Sequence, residues 1–402
     1  MTIPPIQGGD GEGGQEYLPS MGMRVSDHPV VAGIERSCNR ATTGDELFEV
    51  LSSEIARVVP YDGAMWFGVD PATLLAVAPS RFEGMDAGYC QTFWHGEFHD
   101  HDVMLFRDLA HQSVPAASLR AATADRPLRS ARYRSFVQPQ GYDDEMRIVF
   151  RTGPSAWALA SLFREKGRRN FDEDEVGLMG DLSPIVGSAV RARATAVATT
   201  PTLTMAPGLL VFDGEGALVS ANAEASEWLQ EIYGPGNDGG ARWLDVLGDP
   251  VNEDDLRTAT PIIPLLAQAR AVAAGHQDGQ PRIRLRDRKG RWLVLHASCL
   301  SGGGTDGNVA VVVEPAKSAE VAPIVIEAYG LSPRERDVVS AIARGLSTPE
   351  IAAALFLSAH TVRDYIKSVF EKVDVSSRGE LVAKLFAEHY SDPLHSTAIH
   401  FD

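Results

Sequence analysis

The apolar positions change their period several times along the chain, and each change marks an element. In GDELFEVLSSEIARVV, Leu47, Val50, Leu51 and Ile55 recur at helical spacing on one face. The runs AMWFGVD, EMRIVFR and AWALASLF have the length and composition of strands. A helix begins near FDEDEV, where acids suit the positive end of a helix dipole. It continues through Leu178, Leu182, Ile185, Val186 and Ala189, and Pro184 predicts a kink in it. LLVF-DGEG-ALVS and RIRLRDRKGRWLVLHASCL each read as two strands around a Gly-containing turn, as hairpins do. A helix with Ala223, Ser226 and Trp228 follows the first hairpin, SGGGTDGN reads as a flexible loop, and VAVVVEP is a last strand.

Two junctions divide this pattern. RARATAVATTPT separates residues 27–195 from 203–315, both mixed α and β, and PAKSAEVAP reads as a short linker to an all-helical segment at 325–392. Residues 1–26 are Gly-rich and acidic, without the apolar stretch of a signal peptide, and are expected to be a disordered tail. No apolar run approaches the ~18 residues of a membrane span, so no membrane partner and a cytoplasmic location are expected. Cys38, Cys90 and Cys299 lie far apart without zinc-knuckle or disulfide spacing, which fits reduced thiols. No internal repeat is found.

Residues 331–390 carry the densest signals. Ser332-Pro333-Arg334-Glu335, Ser347-Thr348-Pro349-Glu350 and Ser377-Arg378-Gly379-Glu380 have capping-box spacing, Ser at the N-cap and Glu at N3. Ser358 is a good N-cap for AHTVRDYIKSVFEKV, and Gly345 suits a left-handed helix end. Within 359–373, Val362, Ile366, Val369 and Val373 form an apolar face, and His360, Arg363, Asp364, Lys367 and Glu371 form the opposite one. The short preceding helix PEIAAALF makes this a helix-turn-helix pattern, whose second helix would enter the major groove.

Charge changes the picture only by its location. The chain carries a formal −17, yet 331–390 hold eight Lys/Arg against eight Asp/Glu, so the acidic excess lies entirely outside the helical segment. Acidic upstream units repel phosphate and lower non-specific binding.

The segment LSPRERDVVSAIARGLSTPEIAAALFLSAHTVRDYIKSVFEKVDVSSRGELV resembles the LuxR/FixJ-type helix-turn-helix through Leu331, Arg334, Glu335, Gly345, Ile351, Ala352, Leu355, Thr361, Val362, Ile366, Val373 and Val375, among others. The resemblance implies a tetrahelical domain that binds double-stranded DNA, often as a homodimer through its last helix, here about 377–389, with RNA polymerase a further partner that it admits. Arg363 and Lys367 match groove-reading basic positions, and an Arg there can reach guanine O6 and N7. Asp364 and His360 share that face, and Ser358 and Thr361 are placed to position phosphates. Tyr365 stands where many members have His.

Upstream, residues 27–195 resemble GAF-like sensor domains of the actinobacterial type, carried by RSARYRSFVQPQGYDDEMRIVF. Residues 207–315 resemble PAS domains through PGLLVFDGEGALVSANAEA, with Asn222 capping a helix that Ala225 packs. The expected fold is therefore multidomain, with α+β GAF-like and PAS-like sensor domains ahead of an all-α tetrahelical helix-turn-helix. Both resemblances imply a pocket for a small-molecule ligand without naming it. Trp66, Phe67, Phe93 and Trp94 are candidates to line a pocket or to fill a core.

No receiver-type acidic cluster, no G-x-x-x-x-G-K-[ST] and no nucleophile–base set is found, so neither phosphoryl transfer, ATP hydrolysis nor an enzyme is expected. No cofactor is expected either, since Cys299 lies outside the sequence context of flavin photosensors. WHGEFHDHD leaves His95, His99 and His101 as metal candidates, His99 and His101 sharing a face if the segment is a strand, against a plain polar loop. The expected function is sequence-specific transcription regulation. The alternative is a signalling adaptor acting by protein contacts with weak DNA binding, which the neutral charge of 331–390 allows.

Overall fold

Two antiparallel five-stranded sheets precede a helical C-terminal domain. The structure, a computed structural model, describes residues 29–194, 205–234, 241–248, 250, 252–305 and 307–387. The expected tail at 1–26, much of the first junction and the last residues of the C-terminal segment lie outside them.

The first sheet contains β1 (Gly63–Val69), β2 (Ala76–Glu83), β3 (Ala116–Ser118), β4 (Tyr142–Thr152) and β5 (Ser155–Glu165), in the order β2-β1-β5-β4-β3. The second contains β6 (Gly208–Phe212), β7 (Leu218–Ala221), β8 (Arg282–Arg286), β9 (Trp292–Cys299) and β10 (Val309–Pro315), in the order β7-β6-β10-β9-β8. Counted from each sheet's own first strand, the two orders are the same.

The central strands of the first sheet are buried at nearly every position because both faces are covered. Trp66, Ile148, Phe150 and Leu162 pack under the helices Gly44–Ala56 and Glu173–Ala194. Phe67, Val149, Leu159 and Phe163 point the other way, onto the helix Cys90–His99 and the loops after it. Trp66, Phe67, Phe93 and Trp94 are all core residues, with Trp66 stacked on Phe150 at 6.0 Å and Phe93 edge-on to Trp94 at 5.2 Å. In the second sheet β6 and β10 alternate, with one face solvated. Its buried face meets Ala225, Trp228, Leu265 and Leu266. Asn222 Oδ1 accepts from the Ala225 amide at 3.0 Å, so the expected cap is present.

Three expectations are corrected. WHGEFHDHD is neither strand nor loop, since most of it lies in the helix Cys90–His99. Its Phe93, Trp94, Glu97 and Phe98 are buried at helical spacing, and that burial decides the conformation. PAKSAEVAP is not a free linker but the start of the helix Ser318–Ala328, held by buried Val321, Ile324, Val325 and Ala328. The face of Gly44–Ala56 buries Phe48 beside Leu47, Leu51 and Ile55, while Val50 is half-buried. The expected helix is present over Glu173–Ala194 with Pro184 inside it.

The two sheets share one continuous core. The helix Ile262–Ala273 packs on Cys90–His99, and buried Arg284 of β8 grips Asp70, just after β1, in a two-pronged ion pair of 2.7 and 2.8 Å.

Candidate nucleic-acid interface

Four helices build the C-terminal domain: Pro333–Ala343, Thr348–Leu355, Ala359–Val373 and Arg378–Val382, the last continued by a wider turn at Ala383–Ala387. Their starts follow the serines. Ser332 Oγ accepts from the Glu335 amide at 3.3 Å and the Glu335 carboxylate takes the Ser332 amide at 2.6 Å. At Ser347 the Glu350 carboxylate accepts both the amide (2.7 Å) and the hydroxyl (2.6 Å) of the serine. In the third box Ser377 Oγ accepts from the Glu380 amide at 3.1 Å, but the Glu380 carboxylate reaches Ser376 rather than Ser377. Gly345 takes φ +81°, the left-handed conformation expected at that helix end. Between the second and third helices Phe356 adopts φ 57° and is 95% exposed, which turns the chain sharply before Ser358.

The helix Ala359–Val373 separates its two faces cleanly. Val362, Val369 and Val373 are buried and Ile366 is half-buried, packed on the same core. His360, Arg363, Asp364, Lys367 and Glu371 are exposed together on the far side. His360 lies 3.6 Å from Asp364, and Lys367 lies 3.9 Å from Glu371, both loose exposed i,i+4 pairs worth little in water. Arg363 has no ion-pair partner among the described residues and stands free at the centre of the face. Ser358 Oγ accepts from the Thr361 amide at 3.0 Å, and the two hydroxyls meet at 2.8 Å, so both hold the helix start. Tyr365 is half-buried against the domain core.

A polar tie fixes this helix to the first one. Glu335, 3% exposed, accepts from Ser368 Oγ at 2.6 Å and Lys372 Nζ at 2.7 Å as well as from its own N-cap. Burial pushes its carboxyl upward, but the bonds from Lys372, Ser368 and Ser332 outweigh it and hold the group at about 2. Arg378 donates to the Leu346 carbonyl at 2.6 Å and to Thr348 Oγ1 at 2.8 Å, clamping the last helix to the loop before the second. Ser368 was not foreseen in the sequence. Its position four residues before Lys372 on one helix face was the available signal.

The family described as bacterial regulatory proteins, luxR family, matches residues 330–385. Residues 330–385 form a LuxR-family helix-turn-helix domain. The same region is 44% identical over 63 residues to the uncharacterized transcriptional regulatory protein YhcZ of Bacillus subtilis, covering 16% of this chain and 28% of that protein. It is 38% identical over 76 residues to the probable transcriptional regulatory protein NarL of Mycobacterium tuberculosis, covering 19% and 32%. It is 40% identical over 58 residues to the transcriptional regulatory protein DesR of Bacillus subtilis, covering 14% and 29%. The chain thus spans about a third or less of the length of these relatives. Among solved structures, Escherichia coli SdiA covers 89% of this chain and 97% of its own at 11% identity with a TM-score of 0.30. The phage VqmA–DPO complex covers 53% and 93% at 16% identity with a TM-score of 0.25. Scores of that size do not establish a shared fold.

The LuxR-family domain is anchored to both sheets through the helix Ser318–Ala328. Val321 and Ile324 join Leu331, Val338, Leu381 and Leu385 in one core that also takes in Trp157 of β5 and Trp292 of β9. Glu327 accepts from Ser155 Oγ of β5 at 2.5 Å and pairs with Arg336 of the LuxR-family domain. Arg284 of β8 donates to the Glu320 carbonyl at 3.0 Å. This docking leaves the Arg363 face open to solvent.

The histidines proposed as metal candidates belong to the first unit, in and just after the helix Cys90–His99. His95 and His99 stack at 4.3 Å, one helical turn apart, and His99 Nδ1 meets His276 Nδ1 at 3.2 Å, while His101 stays exposed outside the group. Burial, and then neighbouring His95, lowers the His99 pKa. Among the described residues no group of three or more His, Cys, Asp or Glu side chains could hold a metal ion, and none of the helices is long and apolar enough to cross a membrane.

Proposed function

We propose that this chain is a sequence-specific, DNA-binding transcription regulator. In this reading the helix Ala359–Val373 enters the major groove and the upstream units, GAF-like at 27–195 and PAS-like at 203–315, govern its availability. The observation that carries the proposal is the open face of that helix, with Arg363 unpaired at its centre and Lys367 one turn on. Arg363 reads a base edge. Lys367 and Asp364 flank it, and the Ser358–Thr361 helix start lies nearest the phosphates. Two chains would sit on a two-fold operator as a homodimer. A small molecule bound upstream acts only if it binds two arrangements of the units with different affinity.

Two features support the sensor reading. Each upstream unit is an antiparallel sheet covered by helices, and both are joined to the LuxR-family domain by one packed helix rather than a loose tether. The test is the affinity of full-length protein and Arg363→Ala for selected genomic fragments. The variant should lose about 1–3 kcal/mol of specific binding with its non-specific binding nearly intact. Equal affinity of the two proteins would remove Arg363 from the groove, and no selective binding by either would favour an adaptor acting through protein contacts.

A further inference from the structure

Where the two sheets and the helix Ser318–Ala328 meet, the structure forms a partly open pocket of about 270 Å³. Its wall draws on both sheets and on the connecting helix: Trp157 from β5, Trp292 from β9, Arg286 from β8, Arg193 from the helix Glu173–Ala194, and Ile324 from the helix that anchors the LuxR-family domain. The volume lies just below the roughly 300–1,000 Å³ of drug-sized ligand sites, which restricts the site to a small molecule.

The chemistry of this wall is lopsided. Trp157 is 2% exposed and Trp292 8%, and the indole N–H of each is buried with no acceptor. The Nε–H of Arg193 is also buried without an acceptor. The rest of the Arg193 guanidinium donates to the carbonyls of Ala189, Cys38 and Ala41, none of which carries a full charge. Arg286 donates to the Ala194 carbonyl at 2.9 Å and lies 4.7 Å over the Trp292 ring. Asp70, the carboxylate at the wall, is already spent on Arg284. Burial depresses both Arg193 and Arg286, the latter to about 10, as expected of cations held in a dry place. Buried donors left without partners are uncommon in folded proteins, and several around one cavity ask for an acceptor.

We propose that this three-way junction is a binding site for a small organic anion with an apolar, preferably aromatic, body. Its carboxylate or equivalent group accepts from the Trp157 and Trp292 indoles and from Arg193, and its body lies against Leu285, Val77 and Ile324. The site lies between the units rather than inside either sheet's core. That placement lets occupancy act on the helix Ser318–Ala328, and so deepens the ligand control proposed above, on which this inference rests.

The test titrates full-length protein with benzoate, indole-3-acetate and octanoate, and with the neutral alcohols benzyl alcohol, indole-3-ethanol and octanol, by calorimetry and tryptophan fluorescence. At least one anion should bind below millimolar Kd and at least tenfold more tightly than its alcohol. Trp157→Phe and Trp292→Phe, which remove the N–H and largely keep the shape, should each weaken that anion roughly tenfold. Binding by none of the anions, equal binding of acid and alcohol, or affinity unchanged in both variants would overturn the site. The acid-against-alcohol comparison on the unaltered chain decides the matter even if a variant folds poorly. DNA affinity measured in parallel separates the two readings. A bound anion without effect on DNA leaves the site standing and removes control through it. A different small molecule that alters DNA binding while no anion binds keeps the control and removes this site.

Discussion

The two sheets share a strand order but solve the problem of their helix-covered face differently. In the first, the space between β4 and the helix Cys90–His99 is filled by charge. Arg147 is wholly buried, donating to Glu97 at 2.6 Å and Glu145 at 2.8 Å, with Arg132 on the other Glu145 oxygen at 2.8 Å. The Arg147 guanidinium lies 4.4 Å and 4.8 Å from the centres of the Phe106 and Phe93 rings. Burial pushes the Glu145 carboxyl up, but Arg132 and Arg147 overcome it and hold it at about 2. Two arginines and two glutamates make this interior neutral and solid. In the second sheet the corresponding face is apolar, with Leu210, Phe212, Ile283, Leu295 and Val311 against Trp228, Leu265 and Leu266. Arg286 of β8, stacked over the Trp292 ring, faces the junction instead. The lesson is that a shared topology does not fix where a ligand can go. The first interior balances its charges within its own ion pairs, although Arg132 and Arg147 each keep one Nη2 buried without an acceptor, and the wall richest in cations lies between the units.

The comparison breaks most visibly at the charges. Arg147→Ala would leave Glu97 and Glu145 buried against each other and should cost about 3–5 kcal/mol, read from denaturant unfolding of the first unit. Arg284→Ala is expected to cost about as much, because it strands Asp70, but its signature differs. Hydrogen exchange should rise along the Cys90–His99 and Ile262–Ala273 contact rather than within β4. In the second sheet, Leu295→Ala should cost about 2–5 kcal/mol by leaving a cavity, without pH dependence. If Arg147→Ala proves milder than Leu295→Ala, the ion network is not what closes the first interior.

A smaller effect concerns the LuxR-family domain. Glu335 sits below its ordinary value of 4.5, at about 2. Its contribution is therefore complete above about 4.5 and lost as pH falls through about 2, in the range of 1–2 kcal/mol once solvent screening is allowed for. Glu335→Gln should flatten the difference in melting between pH 5 and pH 2.5 relative to the unaltered chain. The Glu145 titration is common to both proteins and cancels. An unchanged difference would mean that the Lys372 and Ser368 bonds are not kept in solution.

How much could be read from the chain alone follows from how local each cause is. The hairpins β6–β7 and β8–β9 were legible because Gly216 and Gly290 supply the positive φ their turns need. The helix Ala359–Val373 was legible because Ser358 and the 3.6-residue apolar period both lie within it. β3 is three small residues and β2 contains Pro79, so neither carried a strand pattern. The helix Ser318–Ala328 hid behind Pro323 and an alanine-rich composition, although Val321, Ile324, Val325 and Ala328 had helical spacing. The junction was not legible at all. Trp157 and Trp292 are 135 positions apart, and only the docking of two sheets on one helix brings them to the same cavity.

The most direct test of the account is selection of genomic fragments by the full-length protein across a salt series. The open Arg363 face predicts fragment-selective binding whose logarithm falls steeply and linearly with the logarithm of salt, with Lys367→Ala reducing that slope by about one. Binding that is unselective, or indifferent to salt, would contradict it.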